Sequence, residues 1–117
     1  MSYMAMKETM QEEGSFLEKC LHIPKSKARK AVYESLLARH GSLLQSVVAL
    51  EELSECQKEI CKILRGTGDI EHLAEEVADA TIMLEQIILM YGIEKQVSRY
   101  IDAKVQRMVD RLEGKEV

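Results

Sequence analysis

The chain has 117 residues, 46% hydrophobic and 31% charged, with a net charge of −4 and only 4% aromatic residues. One Pro, six Gly and abundant Ala, Leu, Glu, Lys and Met exclude a turn-rich β-sandwich or a disordered chain and favour helix. The acidic balance gives no support to general nucleic-acid binding. The longest apolar run, 77–93, is broken by Asp79, Glu85 and Gln86, so no membrane span is expected.

Sparse punctuation divides the chain into five segments of helical periodicity. The first runs from about Ser2 to Cys20 and carries a weak stripe of Met6, Met10, Leu17 and Leu21. The second starts near Ser26, an N-cap type, and ends before Gly41, with Ala28, Val32, Leu36 and Leu37 on one face. The third, Ser42–Arg65, repeats Leu43, Val47, Leu50, Leu53, Ile60 and Leu64, and Gly66 follows as its stop. The fourth starts at Asp69, a good N-cap, and is apolar nearly all round from Val77 to Met90, which predicts burial on several sides. The fifth, Ile93–Leu112, repeats Val97, Ile101, Val105, Val109 and Leu112. The expected fold is all-α: an antiparallel bundle of about five helices with a core of four-helix-bundle type, oligomeric through its most apolar helix. Residues 1–30 are expected to form an N-terminal helical extension and 31–117 the principal domain. Cys20, Cys56 and Cys61 lack Cys-x-x-Cys spacing, which argues against a disulfide framework or thiolate zinc site and for reduced thiols in the cytoplasm.

Sixteen of the 20 acidic residues are Glu, the better helix former, so most of the acid belongs on helix surfaces. Two short runs stand apart. Glu51-Glu52-Leu53-Ser54-Glu55 lies on the third segment and Glu75-Glu76-Val77-Ala78-Asp79 on the fourth. Residues three apart share a helix face, so Glu52 pairs with Glu55 and Glu76 with Asp79. The intervening chain suffices to finish one helix, turn and return alongside, and four carboxylates would then converge. Such a cluster repels itself unless a cation sits within it, and oxygen-only ligation suits Mg²⁺ or Mn²⁺. A di-iron bundle would need Glu-x-x-His, and His72 is out of step for that motif. Glu-rich helices are more often plain solvated faces. Asp79, set at the start of the most apolar helix, weighs against that reading here.

These residues resemble the E-E-x-x-E…E-x-x-D signature of the MazG-like all-α nucleoside triphosphate pyrophosphohydrolases, over roughly Tyr33–Leu112. The resemblance implies an enzyme that hydrolyses a (deoxy)nucleoside triphosphate to the monophosphate and pyrophosphate with Mg²⁺. Glu52, Glu55, Glu76 and Asp79 would hold metal, and Glu52 or Glu55 would orient or deprotonate the attacking water. Glu51 is ambiguous and can point outward. Lys62, Lys104 and Arg107 are candidates to meet the phosphates, against a plain reading as helix-surface charge. Gln45 and Gln86 are weak candidates for reading a base edge, against a role bridging helices. A phosphoribosyl-ATP pyrophosphohydrolase belongs to the same superfamily and is the near alternative. A non-catalytic helical oligomer, serving as a binding module, is the distant one. Either way a homodimer or homotetramer is expected. The run Lys25-Ser-Lys27-Ala-Arg29-Lys30 reads as a solvated helix start, and Glu85 as a group that pairs across a subunit interface.

Overall fold

The structure is a computed structural model that describes residues 26–115. Among these residues the secondary structure is helical: α1 is Ser26–Leu64, α2 is Ile70–Tyr91 and α3 is Glu94–Leu112. The segment expected over Ser2–Cys20, and with it most of the proposed N-terminal extension, lies outside the described residues. The described residues thus show three helices where the sequence suggests four. The second and third segments join as α1, broken internally at Gly41. Its φ of 83° and ψ of 161° belong to a backbone region that L side chains rarely enter, so the break falls where glycine permits it.

The chain divides into two compact units, one of them Lys30–Ile93 and the other containing α3. Within the first, α1 and α2 form an antiparallel hairpin. The turn closes α1 with Thr67 and Gly68 amides donating to the Lys62 carbonyl at 3.0 and 3.1 Å. A Cβ at Gly68 would meet the Ile63 backbone nitrogen at 2.8 Å, so glycine lets the chain pass this close. Asp69 then caps α2, its carboxylate accepting from the Glu71 amide at 3.0 Å. Gly92, in the left-handed region, closes the other end.

The hairpin has a regular polar seam. Glu59 meets His72, Glu52 meets Asp79, and Gln45 meets Gln86. Each step of seven residues back along α1 is matched by seven forward along α2, about 10.5 Å per step. Seven residues are close to two helical turns, so successive pairs return to the same seam. Beyond the Gly41 break the register changes, and the Tyr33 hydroxyl donates to Glu85 Oε2 at 2.5 Å. Within the hairpin, Glu85 thus pairs with Tyr33.

Apolar burial in this unit is small. Tyr33, Ala49, Ala80 and Met83 are buried, and so are the polar Gln45, Glu59 and Gln86. The all-round burial expected for Val77–Met90 does not occur within the described chain. Only Ala80, Met83 and Gln86 of α2 are buried, while Val77, Ile82 and Leu84 are exposed. The hairpin covers the one face of α2 that α1 reaches. Cys56 is half-buried and Cys61 exposed, both as free thiols. On α3, Val109 is buried and Ile101 and Leu112 are exposed. No helix among the described residues is long and apolar enough to cross a membrane.

Candidate metal centre

Helical spacing places Glu76 and Asp79 on one face of α2, and the seam register sets that face against Glu52 of α1. Carboxylate oxygens of Glu52, Glu76 and Asp79 all lie within 4.8 Å of one another. Glu52 and Glu76 are half-buried and Asp79 is exposed, so the cluster opens to solvent from the Asp79 side. Burial raises the Glu52 carboxyl above its ordinary value of 4.5. The charges of Asp79 and Glu76, a hydrogen bond with Asp79 and the charge of Glu55 push it the same way. Glu76 Oε2 is buried and has no hydrogen-bond partner. A buried bare acceptor among like charges is costly in a protein-only cluster and suits coordination to a cation. The donor set is oxygen only, which fits a hard divalent ion such as Mg²⁺ or Mn²⁺.

The remaining sequence candidates fall in different places. Glu55 lies outside the triad: its side chain is half exposed and pairs with Lys58 at 3.3 Å, although its charge still acts on Glu52. Glu51 is exposed. Lys62 Nζ lies 3.6 Å from Glu59 Oε2, one step along the seam from the triad. Gln45 and Gln86 are brought together, Gln45 Nε2 donating to Gln86 Oε1 at 2.6 Å, with both side chains buried. Lys104 and Arg107 are exposed on α3, which belongs to the other unit.

Glu59 and His72, which the acidic motif does not include, join the same seam. Glu59 is 3% exposed, and its Oε2 lies 3.0 Å from His72 Nδ1. The other ring nitrogen, His72 Nε2, lies 3.6 Å from Glu76 Oε1. The signal for them was spacing: Glu59 follows Glu52 by seven residues, and His72 precedes Glu76 by four, one turn back on the same face. No family model, no curated protein and no solved structure matches this chain.

Proposed function

We propose that this chain is a Mg²⁺-dependent nucleoside triphosphate pyrophosphohydrolase, releasing pyrophosphate and a (deoxy)nucleoside monophosphate. The observation that carries the reading is the triad of Glu52, Glu76 and Asp79, drawn from two antiparallel helices, with a buried unpartnered oxygen on Glu76. These three side chains would hold the metal. Bound Mg²⁺ supplies positive charge toward a polyanionic triphosphate and a more acidic water. Glu55, one turn from Glu52 and open to solvent, is the carboxylate free to accept the proton of the attacking water once it leaves Lys58. Lys62, Lys104 and Arg107 are the cations this reading assigns to phosphate, an assignment that comes from the resemblance alone. The Gln45–Gln86 pair, about 10.5 Å along the seam from the triad, is the amide pair assigned to the base.

The reading includes self-association as a homodimer or homotetramer, in the cytoplasm where nucleoside triphosphates are abundant. Leu43 and Leu64 are 80% and 81% exposed, and Leu50, Ile70 and Val77 add to the uncovered apolar surface of the hairpin. A second copy would cover such faces and complete a bundle of four-helix type. The same surface suits a non-catalytic helical oligomer, so the chemistry must be tested directly.

The test is a pyrophosphate-release screen across canonical and modified nucleoside triphosphates with Mg²⁺ or Mn²⁺, run beside Glu55→Ala. Release from at least one nucleotide, lost in Glu55→Ala, is expected. A blank across the panel would refute the enzyme reading. Activity confined to phosphoribosyl-ATP would move the chain to the neighbouring activity.

A further inference from the structure

A carboxylate as deeply buried as Glu59 requires partners, because the charged form loses its hydration. Two cationic or ring groups approach its Oε2: His72 Nδ1 at 3.0 Å and Lys62 Nζ at 3.6 Å. The imidazole therefore has one edge pinned against α1. Its opposite edge presents Nε2 to Glu76 Oε1 at 3.6 Å, a packing contact rather than a hydrogen bond. Glu76 is itself only 13% exposed, so the ring occupies one side of a largely enclosed carboxylate. Its other oxygen, Oε2, is buried and bare. The chain Glu59–His72–Glu76 runs from a buried anchor to a member of the acidic triad.

We propose that His72 is a positioning residue, held by Glu59, that fixes the Glu76 carboxylate for a divalent cation at the acidic triad; this rests on the cation-site reading above. Outer groups that orient a metal ligand cut the freedom the ligand must lose on binding. Glu has three side-chain torsions, and Glu76 without the ring would be free to turn toward solvent. His72 acts through Glu76 and is assigned no bond to the cation. Glu59 acts one residue further back, by keeping the ring in place.

Two conservative variants separate this role from a merely structural one. In His72→Asn the side-chain amide nitrogen takes the place of Nδ1, so the Glu59 contact survives and the Glu76 contact is lost. In His72→Gln the amide nitrogen takes the place of Nε2, so the Glu76 contact survives. The measurement is Mn²⁺ affinity by the electron paramagnetic resonance signal of free Mn²⁺, with thermal melts in EDTA as the control on folding. His72→Asn is expected to melt like the wild type and to lose Mn²⁺ affinity by about ten- to a hundredfold. His72→Gln keeps the reach to Glu76 but loses the Glu59 anchor, and is expected to bind Mn²⁺ more tightly than His72→Asn and less tightly than the wild type. Should it strand Glu59 and fail to fold, His72→Gln with Glu59→Gln removes the buried charge and is read in its place. If the wild type takes up Mn²⁺ and His72→Asn binds it equally well, the positioning role is overturned and the cation site stands. If the wild type takes up no Mn²⁺, the cation reading falls and this inference with it.

Discussion

The three clustered carboxylates should repel one another in metal-free protein, and Asp79→Asn exposes that cost. One carboxylate oxygen of Asp79 lies within 4.8 Å of one each from Glu52 and Glu76. At that separation two unit charges repel by about 0.9 kcal/mol under bulk-water screening, and about 3.5 kcal/mol at an effective dielectric of 20. Asp79 is exposed, so the lower figure applies to each of its two neighbours. Salt screening at this exposed position reduces the total further. Neutralising Asp79 should therefore stabilise the cation-free protein by about 1 kcal/mol. Asn and Asp differ little in helix propensity, and position 79 is far from either end of α2, so no opposing term of that size is expected. The gain corresponds to a rise of several degrees in Tm for a domain of this size. The assay is a far-ultraviolet circular dichroism melt in EDTA and in Mn²⁺, at one fixed protein concentration. Wild type should gain about 2.7 kcal/mol at a hundredfold excess over Kd, and Asp79→Asn should gain almost nothing. A variant that melts below wild type in EDTA, or keeps the metal-induced shift, refutes the reasoning.

Two further outcomes follow from the same seam. Because the folded chain raises the Glu52 carboxyl, the folded state binds that proton more tightly than the unfolded state does. Its contribution to stability is full below the ordinary value of 4.5 and is lost as pH rises through the higher folded value. Melts in EDTA across this window should show a downward slope for wild type that is smaller in Glu52→Gln; equal slopes would count against the cluster's electrostatics. At the next step of the seam, Gln45→Leu or Gln86→Leu alone strands a buried amide and should cost about 1–3 kcal/mol, whereas the double substitution should be nearly neutral. Chemical denaturation of the four proteins gives the coupling, and additive losses would show that the two amides do not depend on each other.

The sequence alone determined that the described residues are helical and where those helices break. Gly41, the Gly66–Asp69 turn and Gly92 each mark a real boundary, because backbone freedom and capping are local properties. It also determined that Glu76 shares a face with Asp79, since a 3.6-residue period needs no knowledge of what lies opposite. The tertiary structure decided which acids meet. Glu52 joins Glu76 and Asp79 while Glu55 turns to Lys58, and Glu59 with His72 extends the seam by one step. That outcome depends on the register between α1 and α2, which the five-residue connector and the side chains packed along the seam fix jointly. No single helix carries it. Apolar periodicity likewise showed that α2 has surface to bury, but not whether the cover comes from its own chain. Within the described residues α1 covers only one face, and Val77, Ile82 and Leu84 remain exposed.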